Sequence, residues 1–228
     1  MLKEIIKFAV VGGVFFGAAP LLGVLMKDRQ SWQRAAFALM CFMTLNGFMA
    51  EGNWGKTLGS IEWYRGHTKG FHFYFNHALA IALLVAKLRE DPSRFTRMPP
   101  GLAAYWIYCA LSMLSIVNAP NPWYVIMAGQ KMFFASVIFL AVYHFIRNRD
   151  DVAFFLKVMA LTLMWEAFVV LKMKYLDGMY QVRGTFEHQN PLCMYAVMIG
   201  MVFLGAGMGP QFRGDRLCQL AFIACAII

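Results

Sequence analysis

Residues 124–146 read YVIMAGQKMFFASVIFLAVYHFI, an apolar stretch that ends at the charged segment Arg147–Asp151. Its length suits the hydrocarbon core of a bilayer, which a helix of about 20 residues crosses. In lipid, only a helix pairs every backbone N–H and C=O group within a single segment of this kind. The stretch therefore predicts a transmembrane helix.

The same alternation of long apolar runs and short polar clusters continues through the chain of 228 residues. Hydrophobic residues make up 60% of the sequence, charged residues only 14%, and the mean hydropathy is +0.55. A soluble chain of this length would need more charge to cover its surface. We expect an all-α polytopic membrane protein with about seven transmembrane helices and a truncated eighth. The predicted spans are 5–26, 35–50, 73–88, 101–117, 124–146, 152–174, 191–208 and, in part, 217–228.

The orientation follows from the Lys and Arg residues between the spans. One set of loops carries eleven of them and the opposite set carries eight. Cytoplasmic loops are the richer in positive charge. This places 51–72, 118–123 and 175–190 on the outer side. The run 217–228 is too short for a span, so we expect the sequence to be the N-terminal portion of a longer protein.

The formal net charge of +9 does not indicate nucleic-acid binding, because the cations are scattered between spans and no nucleic-acid motif accompanies them. The five cysteines fall inside apolar runs, without the spacing of metal ligands or of a disulfide framework. We expect no metal and no cofactor. Residues 50–57 (AEGNWGKT) match a relaxed phosphate-binding loop, but such a loop needs a strand before it and a helix after it. Here a predicted span precedes it, so we reject a nucleotide site.

Residues 183–195 (RGTFEHQNPLCMY) form an outer loop that leads into a helix. Asn190 is a favourable N-cap, and Pro191 suits the first helical turn. A helix start presents unpaired N–H groups to anions. Arg183 and His188 lie just upstream, and Gly184 lets the backbone turn tightly. The segment predicts an anion or phosphate site, with a capped helix and a snorkelling arginine as the structural alternative.

The pattern Arg-Gly-Thr-Phe-x-His-x-Asn-x-Leu-x-x-Tyr in these residues resembles the signature that opens the core domain of the O-antigen ligase and polymerase superfamily. Weaker similarity to the same superfamily extends over residues 60–205. The resemblance implies a metal-independent membrane glycosyltransferase that moves a glycan from undecaprenyl diphosphate to lipid A-core, a growing polysaccharide or protein. It also implies two regions, 1–182 with N-terminal transmembrane helices and the outer loop 51–72, and 183–228 as the truncated start of the core domain.

By the same resemblance, Arg183 is a catalytic contact to the donor diphosphate. His188 and Asn190 match the motif, and His188 is the catalytic base if no later loop supplies one. The family carries further catalytic His and Arg residues in a large outer loop, and the sequence ends before that loop. The implied site faces the periplasm or exterior of the bacterial cytoplasmic membrane, and membrane lipids are partners.

Charges within spans support a site at the outer face, because they are costly in a bilayer and by default mark a site or a pathway. Lys131 lies roughly 12 Å into its span from the outer start at helical rise, and Glu166 lies at a similar depth in the next span. Lys172 follows at the same face, and Arg65 and Lys69 belong to another outer loop. A diphosphate would bind such a cluster. Structural pairing of Lys131 with Glu166 is the alternative.

Two other function classes remain open. A transporter or flippase for an anionic lipid or solute would use the same cations, although it favours charged or broken-helix sites near the midplane of the membrane. The third class is a non-catalytic or truncated membrane subunit. The identity of the donor sugar and the acceptor is not encoded in any recognisable motif.

Overall fold

The computed structural model describes residues 2–43, 55–59, 70–96, 98–186, 189–209, 212 and 215–228. Most of these residues are helical. They divide into two compact units, of which unit 1 comprises Met1–Met40 and Trp54–Arg147, and unit 2 comprises Cys41–Asn53 and Asn148–Ile228.

Unit 1 begins with a continuous helical run and continues through a small sheet into three further helices. Its elements are α1 (Leu2–Gly12), a π-helical segment (Gly13–Ala18), α2 (Ala19–Met26), most of α3 (Gln30–Phe42), β1 (Gly55–Leu58), β2 (Phe71–Tyr74), α4 (Phe75–Glu90), a 3-10 turn (Pro92–Thr96), α5 (Leu102–Met113), a 3-10 turn (Leu114–Val117) and α6 (Pro122–Phe145). The helix α6 begins where Asn121 accepts a hydrogen bond from the backbone N–H of Trp123, with Pro122 in its first turn.

From residue 148 onward, the described part of unit 2 consists of three helices and most of the segment that joins the first two. Its elements are α7 (Arg149–Leu171), a π-helical turn (Lys172–Leu176), α8 (Gln189–Met208) and α9 (Arg216–Ile227). The N-caps of α7 and α9 are Asn148 and Asp215, whose side chains accept from the backbone N–H groups of Asp151 and Leu217. The helix α9 packs on both α7 and α8. A Cβ on Gly200 of α8 would lie 3.4 Å from the Cβ of Cys225 in α9, which is an ordinary van der Waals contact.

Among the described residues, four helices are long and apolar enough to cross a membrane: Ile5–Met26, Pro122–Phe145, Arg149–Leu176 and Gln189–Met208. They coincide with four of the predicted spans. The apolar helices Leu102–Val117 and Arg216–Ile227 are shorter. The predicted spans 35–50 and 73–88 correspond to the helices Gln30–Phe42 and Phe75–Glu90, and residues 44–50 lie outside the described part of the chain. The chain thus has the helical architecture of a multi-pass membrane protein, and the total of seven spans and part of an eighth stays a prediction.

A two-stranded antiparallel sheet departs from the all-α expectation. β1 and β2 pair with Gly55 opposite Tyr74 and Leu58 opposite Phe71. Aromatic residues favour extended backbone, so the chain stays extended through Tyr74 instead of entering the predicted span at residue 73. Because the glycine, lysine and threonine of 55–57 lie in β1, they are not at the start of a helix, as a phosphate-binding loop requires.

The free edge of β2 is closed by a side chain of α6. The Gln130 carboxamide accepts from the His72 backbone N–H at 3.1 Å and donates to the His72 carbonyl at 2.6 Å. The amide therefore substitutes for a neighbouring strand. It satisfies both backbone groups of His72, which no third strand reaches in the part of the chain that the structure describes.

Small residues bring α2 and α4 into close contact. A Cβ on Gly23 would lie 2.5 Å from the carbonyl oxygen of Ala82 and 2.7 Å from the Cβ of Val85. The two backbones can approach this closely only because position 23 has no side chain.

Polar residues tie the end of α4 to two other elements of unit 1. The Gln33 amide donates to the Met26 carbonyl at 2.8 Å and to the Glu90 carboxylate. Glu90 also pairs with Lys87 at 3.1 Å and with Arg147 at 3.4 Å. Burial raises the pKa of Glu90, but the hydrogen bonds from Gln33 and Lys87 and the two positive charges outweigh it and leave the pKa below its ordinary value.

Candidate functional site

The segment that joins α7 to α8 contains a tight turn at Arg183–Phe186. The backbone N–H of Phe186 donates to the carbonyl of Arg183 at 3.0 Å. Gly184 has φ +58°, in the left-handed region that costs other L-residues free energy. The glycine of the predicted motif therefore has a conformational reason for its position.

Glu166 of α7 anchors this turn. Its side chain is fully buried within one of the four long apolar helices. One carboxylate oxygen accepts from the backbone N–H of Thr185 at 2.7 Å, and the other accepts from the Thr185 hydroxyl at 2.8 Å. Both oxygens are thus bound by a single residue of the turn, which answers the solvation demand of a buried carboxylate.

Gly184 is required by the carboxylate as well as by its own backbone angle. A Cβ at this position would lie 1.9 Å from Oε1 of Glu166 and 3.3 Å from Cδ1 of Leu192. The 1.9 Å contact cannot form without movement, so a larger residue would displace either the Glu166 carboxylate or the turn. Glycine, threonine and glutamate therefore fit one another as a set, which we call the Glu166 latch (Glu166, Gly184 and Thr185).

The far side of the turn rests on α8. The ring of Phe186 lies 5.3 Å from the ring of Tyr195, at an interplanar angle of 44°. The Tyr195 hydroxyl is buried and, within the part of the chain that the structure describes, has no hydrogen-bond partner. The turn is consequently held from two directions, by Glu166 on α7 and by an aromatic contact on α8.

Arg183 is exposed at the start of the turn. No ion pair to it is found among the described residues of the chain. A guanidinium offers donors in a rigid fork that matches two oxygens of a phosphate or carboxylate. Its backbone is fixed while its side chain reaches solvent, and this arrangement suits an anion-binding residue.

Lys172 and Lys174 lie in the π-helical turn at the end of α7. Lys172 forms an ion pair with Asp177 at 3.0 Å, and the two side chains are 51% and 40% exposed. An exposed pair of this kind is weak, so an incoming anion can compete with Asp177 for Lys172. The ammonium group of Lys174 lies 5.6 Å from the ring centre of Tyr180 and 3.5 Å from its carbonyl oxygen.

The other predicted site residues are distributed as follows. Asn190 is exposed and lies inside the first turn of α8, because the helix begins at Gln189, one residue before the predicted N-cap. Lys131 belongs to α6 of unit 1, where it is half-buried next to Gln130. His188, Arg65 and Lys69 lie outside the described residues. Arg183, Lys172 and Asn190 thus share unit 2, whereas Lys131 does not.

Thr185 is the site residue that the sequence did not single out. It was part of the motif, and a buried glutamate was evident in the preceding span, but the two positions are far apart in sequence and no local pattern connects them. Glu166 was expected either in a cationic cluster or paired with Lys131. Its hydrogen-bond partner is Thr185.

Among the described residues, there is no group of three or more histidine, cysteine, aspartate or glutamate side chains that could hold a metal ion. No model of a protein family matches the chain, and neither a curated protein nor a solved structure matches it. The resemblance to the O-antigen ligase signature therefore rests on the residues of 183–195 themselves.

Proposed function

We propose that this chain is a membrane glycosyltransferase of the O-antigen ligase and polymerase type. It would move a glycan from undecaprenyl diphosphate to lipid A-core, a growing polysaccharide or a protein at the outer face of the bacterial cytoplasmic membrane. The observation that carries the proposal is an exposed Arg183, presented on a turn that a buried carboxylate holds in place, within the motif of residues 183–195.

The proposal includes a topology with seven spans and part of an eighth, and with 51–72, 118–123 and 175–190 on the outer side. The excess of Lys and Arg in the opposite loops supports this orientation. The turn at Arg183–Phe186 then lies at the outer membrane surface, where a lipid-linked donor presents its diphosphate. In this proposal residues 183–228 belong to the catalytic region.

The reaction is a displacement at the anomeric carbon of the donor sugar. An acceptor hydroxyl forms the new bond to that carbon, the bond from the carbon to the diphosphate oxygen breaks, and the diphosphate leaves with the bonding electrons. Arg183 stabilises the negative charge that develops on the leaving group. A base takes the proton of the acceptor hydroxyl, and either His188 or a residue of a later loop fills this role.

The remaining cations bind the donor in this proposal. Lys172 exchanges its exposed partner Asp177 for a phosphate oxygen. Lys131, Arg65 and Lys69 stay donor-binding candidates on the strength of the sequence alone. Asn190 lies in the first turn of α8, where a helix favours negative charge. Stabilisation of the leaving group by these side chains requires neither a metal nor a cofactor.

Accumulation of the donor in cells tests the proposal without knowledge of the acceptor. Deletion of the gene should raise the level of undecaprenyl-diphosphate-linked glycan, and the natural open reading frame should restore it to normal. Arg183→Ala should fail to restore it, while the control Lys157→Ala, which alters an exposed cation nearer the start of α7, should restore it fully. Full complementation by Arg183→Ala would remove Arg183 from the mechanism. Uptake of an anionic solute by proteoliposomes, without transfer, would identify a transporter instead.

A further inference from the structure

The Glu166 latch contains a buried carboxylate, which a contact that serves packing alone does not need. A carboxylate in the middle of an apolar helix is costly in a bilayer, and an aliphatic side chain would fill the same space at lower cost. The two acceptor oxygens of Glu166 nevertheless match the two donors of Thr185, at 2.7 and 2.8 Å. Both carboxylate oxygens are thus used to orient the single turn that contains Thr185.

We infer that Glu166 is a positioning residue for Arg183, and that it acts through Thr185 to hold the guanidinium where the donor diphosphate binds. The inference rests on the proposed function of Arg183. Glu166 itself touches neither the donor nor the reacting atoms, because its side chain is fully buried and both its oxygens are engaged by Thr185.

The path from Glu166 to Arg183 is short. Glu166 fixes the backbone N–H and the hydroxyl of Thr185, and Gly184 follows the carboxylate surface so closely that it admits no Cβ. The hydrogen bond from the Phe186 N–H to the Arg183 carbonyl then closes the turn around this anchor. Loss of the carboxylate frees the backbone on which Arg183 stands, while Arg183 keeps its charge and its exposure.

Trypsin cleavage after Arg183 measures the latch independently of any catalytic role. The protein purified in detergent should be cut slowly at Arg183, because the latch holds the turn, and cleavage after the exposed Lys174 serves as the internal reference. Glu166→Gln should raise the relative rate at Arg183 by about 10- to 100-fold, which is the effect of losing a hydrogen bond to a charged group. Thr185→Ser keeps both donors and should change the rate by less than about 3-fold, within the scatter of surface substitutions.

A double-mutant cycle on donor affinity tests the link to Arg183. Binding of undecaprenyl diphosphate to the protein in nanodiscs should weaken by about 10-fold in Glu166→Gln, and by no further factor when Arg183→Ala is already present. A general loss of structure would give the same factor in both backgrounds and would overturn the inference. Thr185→Val, which removes only the hydroxyl, should weaken binding in the same dependent way and guards against misfolding of Glu166→Gln.

The trypsin cleavage and the donor affinity together distinguish a failure of the role of Glu166 from a failure of the proposed function. If Glu166→Gln changes neither the cleavage after Arg183 nor the donor affinity, Glu166 does not position the turn. If Glu166→Gln speeds cleavage but the unaltered protein does not bind undecaprenyl diphosphate, the latch stands as a structural feature. In that case the proposed function fails, and the inference fails with it.

Discussion

The substitution Gly184→Ala should destabilise the turn Arg183–Phe186. Two features of the structure determine the size of this destabilisation. The backbone of Gly184 has φ +58°, and a left-handed angle costs an alanine about 1–2 kcal/mol. The added Cβ would also lie 1.9 Å from Oε1 of Glu166, so the hydrogen bond from the Thr185 N–H must break or shift. Loss of a hydrogen bond to a charged acceptor costs about 1.5–3 kcal/mol.

The two contributions together predict that the turn opens more easily by about 2.5–5 kcal/mol. At a factor of ten for each 1.4 kcal/mol, hydrogen exchange at the Thr185 amide should accelerate by at least about 50-fold. Hydrogen–deuterium exchange measured on the peptide that contains this amide reads the effect directly. Peptides from α8 that lie away from the turn should exchange at their original rate.

Gly178 provides the matched control. It lies in the same segment with φ +65°, but a Cβ there meets no atom within 4 Å. Gly178→Ala therefore carries the backbone strain without the collision, and should accelerate exchange about 5- to 30-fold around its own position and leave Thr185 unchanged. Equal effects of the two substitutions at their own sites would refute the role assigned to Glu166, because strain alone would then explain both.

Three further predictions concern unit 1. Gly23→Ala should destabilise the protein by about 1–3 kcal/mol, because its Cβ collides with the backbone of α4. Gly17→Ala places its Cβ in open space and should not destabilise the protein. Thermal unfolding in detergent compares the stability of the two variants. Glu90→Gln should remove a pH dependence of stability. Because the folded pKa of Glu90 is lowered, its contribution is complete above pH about 4.5 and is lost as the pH falls through the folded value, and the variant should lack this acid-induced loss in unfolding temperature. Gln130→Leu should remove both hydrogen bonds between this side chain and the His72 backbone and lower stability by about 1–3 kcal/mol for each bond. Faster exchange of the His72 amide measures the loss.

The helical architecture was predictable because it depends on local composition. The long apolar helices Ile5–Met26, Pro122–Phe145 and Gln189–Met208 coincide with predicted spans to within a few residues. A run of twenty apolar residues has no stable alternative in lipid, so hydropathy alone identifies it. The start of α8 was predicted two residues late, since Asn190 was expected as the N-cap and Pro191 as the first helical residue, but the helix begins at Gln189.

The two-stranded sheet and the Glu166 latch were not predictable, because each depends on contacts between residues that are not neighbours in sequence. Phe71–Tyr74 is as compatible with the start of a helix as with a strand, and the strand is settled by β1 and by Gln130 of α6. Glu166 was recognised as a buried charge, but its partner could be found only once Thr185 was brought to it in space. The motif selected this loop as the candidate site, and the fold shows which residues hold the loop in place.

The most direct test of the central claim is the affinity of the purified protein for undecaprenyl diphosphate with and without the Arg183 guanidinium. In nanodiscs, Arg183→Ala should weaken binding by about 10- to 100-fold, the effect of losing a charge-assisted contact. Arg183→Lys should recover only part of it, because an ammonium lacks the bidentate fork, and Lys157→Ala should bind like the unaltered protein. Equal affinity of Arg183→Ala and the unaltered protein would contradict the account.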